Sequence, residues 1–464
     1  MDIERFESDM CTYLAALSTG CMHDPDRIDE RWSTDNKIVF VGLLLATLAA
    51  GAHFSDLASP NRSEVCFNLI QRALQALRLA NFLFRPSLQA IQALFIIGKT
   101  ILNNGQPGAT WALLGTTTRL AQTLGLHAEK GVAYWPERTR SEARAVWSAI
   151  VVHECFLSLC YDRPFMLSPS SSWTLQHASR NGNLSYNNAV QLMVRIMVNL
   201  TAEQHTSLPR STELLAELDN TYHVTEAHLR GRQQCHSLEQ HLEHLSIQLY
   251  YHFCVSFICR PAFQRLEQVA GGPHYMVLLS RVKSSLMNTS KAFLEFLALS
   301  VVPLRSWSLV HIALSATLLL NVWEETRNDP ECRKLQQQVI DAFQQSECAS
   351  NVTGPRSSSS NMQWLSDSHI RALIALTDSV RTGSIPSKDT TSTTTPPRPE
   401  TWESAGLADI SSWPGQNTTD EISSACEYGT PFNWDRTDMS PLMYLDSIMN
   451  GKSLITSRGW RLMK

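Results

Sequence analysis

In the run SEVCFNLIQRALQALRLANFLF (63–84), apolar side chains recur at Val65, Leu69, Ala73, Ala76, Leu77 and Ala80. That i, i+3, i+4 spacing lays one apolar stripe along one side of a helix. A chain built from such stripes must pack helix on helix, because each stripe needs a partner to leave water. Ser63 reads as the N-cap of this helix and Pro86 as the residue that stops it. The next run, PSLQAIQALFIIGKTILNNG, has Pro86 near a helix start and Gly105 past its end. Helical spacing returns over 38–52, 107–127, 141–161, 187–201, 224–260, 275–301, 306–326, 332–347 and 362–382, with breaker residues between, while period-2 strand patterns are nearly absent. The expected fold is all-α: a multi-helix domain of packed helical hairpins, whose order of packing the pattern does not supply.

Composition agrees with a large buried core, at 43% hydrophobic and 18% charged residues. The most apolar run, IVFVGLLLATLAAGA (38–52), is short of the ~20 residues of a membrane span. It holds two glycines and is followed by His53, so a buried helix is expected and no membrane segment. The N-terminus, MDIERFESDM, is acidic and lacks the apolar region of a signal peptide. The formal net charge is -4, so the basic excess of a nucleic-acid-binding domain is missing. Any DNA contact would be local or supplied by a partner. Eleven cysteines at irregular spacing, without a C-x-x-C, read as buried thiols rather than a disulfide framework or zinc site.

The chain divides by composition. Residues 1–34 form a lead-in and 35–382 the helical domain, within which SNVTGPRSSSSN (350–361) reads as a surface loop. Residues 383–401, which contain PSKDTTSTTTPPRPE, are a Ser/Thr/Pro-rich linker. Residues 402–464 form an acidic-aromatic tail, expected to be largely disordered. From Trp402 to Asn450 it carries eight acidic residues against one basic residue, Arg436. Trp402, Trp413, Phe432, Trp434 and Tyr444 are spread among those acids. The acids keep the rings solvated, and a partner can bury them through coupled folding. Docking of the tail on its own helical domain, through Trp434 and Tyr444, is the competing reading.

Motifs for chemistry are weak. The glycines of PGATWALLGTTTRLAQTLGLH (107–127) match neither phosphate-loop pattern. Gly108, Gly115 and Gly125 are read instead as a helix start, a close helix–helix contact and a helix exit. In HSLEQHLEH (236–244), His241 and His244 share a helix face, as do Glu239 and Glu243. The spacing is not H-E-x-x-H and a second ligand set is not visible, so a solvated polar face is preferred and no metal is assigned. In HECFLSLCYDRP (153–164), His153 and Glu154 are neighbours and point about 100° apart on a helix. With Asp162 they are the residues a catalytic reading would use, provided the fold returned them to one pocket. No nucleophile motif and no cofactor signature occurs.

The segments QALFIIGKTILNNGQPGATWALLGTTTRLAQTLGLHAE (92–129) and SEARAVWSAIVVHECFLSLCYDRP (141–164) resemble the fungal-specific transcription factor domain, the middle region of fungal zinc-cluster regulators. The resemblance rests on an ordered set: Gln92–Leu94, Trp111 with Gly115, Arg119, and the exit Leu124-Gly125-Leu126-His127. Glu142 and Arg144 with Trp147, then Arg163–Pro164, complete it. Residues 43–56 also look like the family's early helix. The resemblance covers about 35–170 well and the later helices in pattern only.

It implies an all-α regulatory and interaction module, located in the nucleus, in which the signature residues are structural. Expected partners are other transcription factors or the transcription machinery; a homodimer and a small-molecule effector stay open. Two departures stand out. No cysteine spacing fits the family's Zn₂Cys₆ cluster, so no direct DNA-binding motif is assigned. His153-Glu154 stands where many relatives have Asp-Arg, and Asp162-Arg163-Pro164 replaces Gly-Arg-Pro. The leading expectation is a transcriptional regulator of a fungal pathway, such as a secondary-metabolite gene cluster, acting through protein contacts. Its rival is a cofactor-independent enzyme that cyclises or rearranges a hydrophobic intermediate on a repurposed regulator domain. A third reading is a zinc cluster encoded upstream of Met1.

Overall fold

The computed structural model describes residues 2–19, 34–57, 59–161, 163–167, 183–202, 207–260, 262 and 272–348. Within them the chain is all-α, with sixteen α-helices and no strand beyond a single parallel bridge between Leu184 and Thr225. The expected helix at 362–382, the linker and the tail lie outside the described residues.

The first half runs through α1 (Ile3–Ser18), α2 (Asp35–Phe54), α3 (Ser59–Leu79), α4 (Leu88–Asn103), α5 (Pro107–Thr123), α6 (Glu129–Val132) and α7 (Glu137–Tyr161). Helix α1 falls in the stretch read as a lead-in, and it docks on the domain. Phe6 packs on Phe40 with ring centroids 5.7 Å apart, and Lys37 pairs with Asp9 at 3.2 Å. Arg138 on α7 donates to both Asp2 and Glu4. Helix α2 packs on α3 and α4, and α4 packs on α5 and α7. Both α2, at 20 residues, and α7, at 25, are long and apolar enough to cross a membrane by length and composition. Of α7's apolar window, 67% is buried among other helices, which is how a core helix uses that surface.

The second half holds α8 (Tyr186–Ala202), α9 (Leu208–His223), α10 (Ala227–Arg230), α11 (Leu238–Ile258), α12 (Pro273–Leu299), α13 (Val302–Arg305), α14 (Trp307–Val322), α15 (Glu324–Arg327) and α16 (Pro330–Cys348). Here α11 packs on α12, and α12 packs on α14 and α16. Polar contacts tie the halves together where α2 and α4 end. His53 donates from Nε2 to the Arg305 carbonyl at 2.8 Å, and Arg305 donates to the carbonyls of Phe54 and Ser55 at 2.6 and 2.7 Å. Asn103 Oδ1 accepts from the Trp307 N–H at 3.1 Å. A single apolar core runs through both halves, from Leu43, Leu94 and Trp147 to Phe293 and Phe343.

Several helix boundaries differ from the sequence expectation, each for a local reason. Ser63 is not an N-cap, because α3 already begins at Ser59. Pro86 does not end that helix: it stops at Leu79, and Asn81 takes a left-handed conformation at φ 53°. Asparagine tolerates this because its short polar side chain can bond locally. The expected helix over 224–260 is broken. Its first part is the short α10, and α11 restarts after Ser237, whose hydroxyl accepts from the Gln240 N–H at 3.2 Å. Helix α9 was not expected, although Ser207 caps it and a proline follows in its first turn.

Eight cysteines fall within the described residues, and none is bridged. Six of them are buried, Cys235 is partly buried and Cys11 is exposed.

Candidate functional site

The signature residues condense around the end of α5 and the middle of α7. Pro107 opens α5 and places Trp111 one turn in, where the Arg163 guanidinium lies over its ring at 5.1 Å. The same guanidinium lies 5.3 Å from the Tyr161 ring. A cation over two ring faces holds the chain after α7 against α5. Burial draws the Arg163 pKa down from its ordinary value. Trp147 is 1% exposed and packs beside His127, ring centroids 6.1 Å apart. Arg144 pairs with Glu129 and Glu137, which anchors α6 to α7.

Two glycines approach closely where the LGLH exit meets α6. Gly125 has φ +76°, and a Cβ there would stand 3.0 Å from the Gly131 Cα. A Cβ on Gly131 would overlap the Gly125 carbonyl in turn. Gly115 is a correction: a Cβ there would meet nothing within 4 Å, so it is no close helix–helix contact. The close approach of α4 and α5 is made by Thr110, whose hydroxyl donates to the Gly98 carbonyl at 3.1 Å. Arg119 is exposed and donates to Gln122 at 3.0 Å.

On the other side of α7 lies a cavity of about 310 Å³. It is walled by α4, α7, α8, α11 and α14, so both halves of the fold contribute. Its α7 wall is the stripe Ala145, Ser148, Ala149, Val152, His153, Phe156 and Leu157, which repeats at three and four residues. Phe95, Tyr186, Tyr250 and Trp307 add aromatic faces, and Lys99 enters from α4. Among the described residues no Asp or Glu lines the cavity. Lys99 makes no ion pair or hydrogen bond with any described residue, and burial pulls its ammonium down to about 8. His153 is buried, with Nε2 lacking a hydrogen-bond partner. Burial, and then the Lys99 charge, hold its imidazole well below the usual histidine range and therefore neutral. Tyr250 is pushed above its ordinary value by burial, as is Tyr186, whose hydroxyl lies 2.8 Å from the Ser246 hydroxyl.

Glu154 does not join this cavity. Its Oε1 accepts from the Met166 N–H at 2.8 Å, and burial raises its pKa against that bond. The fold thus separates His153 from Glu154, as their angle on the helix requires, so these two do not form an acid–base pair in the cavity. Asp162 lies outside the described residues, as do Trp402, Trp413, Phe432, Trp434 and Tyr444. In the HSLEQHLEH stretch, His236 precedes α11, and His244 is buried with Nδ1 2.9 Å from the Leu229 carbonyl. Glu243 accepts from His228 at 3.0 Å. Among the described residues no group of three or more His, Cys, Asp or Glu side chains gathers as a metal site would require.

Sequence reasoning missed Lys99. The signal was present, since it is the one charged residue in α4, LQAIQALFIIGKTILN. A lone lysine inside an apolar helix deserves the question of what receives its charge.

The all-α architecture meets the expectation of the sequence resemblance. Residues 22–174 carry a fungal specific transcription factor domain. The match spans about a third of the 464 residues. It takes in α2 to α7 and ends before α8, so the cavity lies at its border: α4 and α7 belong to the transcription factor domain, and α8, α11 and α14 follow it. No curated protein and no solved structure matches the chain.

Proposed function

We propose that this regulator works in the nucleus and controls the genes of one fungal pathway, such as a secondary-metabolite cluster, through contacts with other transcription factors or the transcription machinery. The observation that carries the reading is the transcription factor domain over residues 22–174. Support for action through partners comes from the sequence. Its 464 residues contain no C-x-x-C pair and carry a net charge of -4, neither of which favours a DNA reader in this segment. The acidic-aromatic composition of 402–464 suits a surface that recruits partners by coupled folding.

Transcript profiling of a deletion strain tests it. The expected result is loss of transcripts from a defined set of genes. Intact transcripts with an accumulating intermediate would instead point to an enzyme. The tail has its own assay: residues 402–464 fused to a heterologous DNA-binding domain should activate a reporter. Silence there removes the tail from the proposal and leaves the transcription factor domain in place.

A further inference from the structure

The border cavity has the makeup of a ligand site, and its chemistry is one-sided. Its walls are largely aromatic and aliphatic, with Phe95, Phe156, Tyr250, Trp307, Val152 and Leu157, while Ser148, Gln191 and Ser308 add neutral polar groups. The cation of Lys99 enters a largely apolar space in which, among the described residues, no lining side chain carries a negative charge. A buried charge without a partner is costly, and a ligand that supplies the partner recovers that cost on binding. Beside it, His153 is 6% exposed, and its Nε2 has no partner. A neutral imidazole donates from one ring nitrogen, and in the tautomer protonated at Nε2 this unpartnered nitrogen can give a hydrogen bond to an incoming oxygen.

We infer that the cavity binds a small, largely apolar molecule bearing a single carboxylate, with the carboxylate at Lys99 and His153 and the apolar body among the aromatic rings. Ala145 and Asn187, both in the lining, are exposed to solvent. The volume of about 310 Å³ sits at the small end of ligand sites, which span roughly 300–1,000 Å³. It admits a short aryl-alkyl or medium-chain acid. A dianion or polyanion would meet one cation only, and a cationic ligand would be repelled by Lys99. The titratable groups facing the carboxylate are Lys99, His153, Tyr186 and Tyr250, and burial holds the last three neutral near pH 7. Binding should therefore follow the Lys99 charge and weaken as pH rises past about 8. Because α4 and α7 lie in the transcription factor domain and α8, α11 and α14 outside it, an occupant would bridge the two halves of the fold. The inference rests on the cavity itself and holds whichever genes the protein controls.

The test is calorimetric titration of the full chain with 4-phenylbutyrate and decanoate, each beside its methyl ester. At least one acid should bind at least tenfold more tightly than its ester at pH 7, and that advantage should vanish by pH 9.5. Lys99→Met should abolish the difference between acid and ester, and His153→Phe should reduce it. The acid–ester comparison on the unaltered chain needs no variant to fold. Equal affinity for acid and ester, binding of neither acid, or a preference that survives Lys99→Met would each overturn the assignment. Reporter or transcript changes play no part in the readout, so failure here is separable from failure of the regulatory proposal.

Discussion

Helix α7 serves two regions that answer opposite demands. On one side Trp147, at 1% exposure, fills its space beside His127, and Arg163 closes over Trp111. On the other side the stripe from Ala145 to Leu157 leaves about 310 Å³ open and faces the unpaired Lys99. The residues that make the domain recognisable belong to the filled side. The open side is lined by side chains that no motif draws attention to. Family resemblance in this chain therefore reports how the helices are held, and the lone charge reports where a ligand could be held.

The comparison breaks most sharply at Trp147. Trp147→Ala should cost about 3–5 kcal/mol by chemical denaturation, because a fully buried indole leaves a large void. A loss below 1 kcal/mol would mean that the filled side is not packed as described.

Lys99 sets the second test. Its folded pKa of about 8 lies below the ordinary 10.5. Between those values the unfolded chain binds a proton that the folded chain does not, so stability rises with pH across that window and is penalised below it. The rise is at most about 1.4 kcal/mol per pH unit. Urea titrations from pH 7.5 to 10 should show this slope in the natural chain and lose it in Lys99→Met. Identical slopes would remove the unpaired cation from the cavity.

Two glycines sharpen the contrast at smaller scale. Gly125→Ala should cost about 1–2 kcal/mol for the left-handed backbone alone, since its φ is +76°. Gly115→Ala, in open space inside α5, should be neutral or stabilise by up to about 1 kcal/mol through helix propensity. Similar losses at both positions would restore the close contact that the sequence suggested for Gly115.

Much of the fold was legible because helical apolar spacing survives in the primary sequence. The helices at 88–103, 137–161, 186–202 and 273–299 lie close to where the pattern put them. The failures came where caps and turns outvote the stripe. Ser237 restarts a helix that the pattern ran straight through, and Asn81 ends one before Pro86 can. Of the candidate site, the angle between His153 and Glu154 was readable from helix geometry, and their separation into cavity and Met166 contact follows from it. Lys99 was readable only as an oddity.

The sequence by itself determined the all-α class, the transcription factor domain and the glycine at 125, because period, order of residues and backbone freedom are local properties. Tertiary structure alone decided that Arg163 caps Trp111, that α14 closes a cavity begun by α4 and α7, and that Lys99 enters it without a counter-charge from the described residues. Those facts depend on which helix faces which, across separations such as the 204 residues between Asn103 and Trp307. No local spacing encodes a contact made at that distance along the chain.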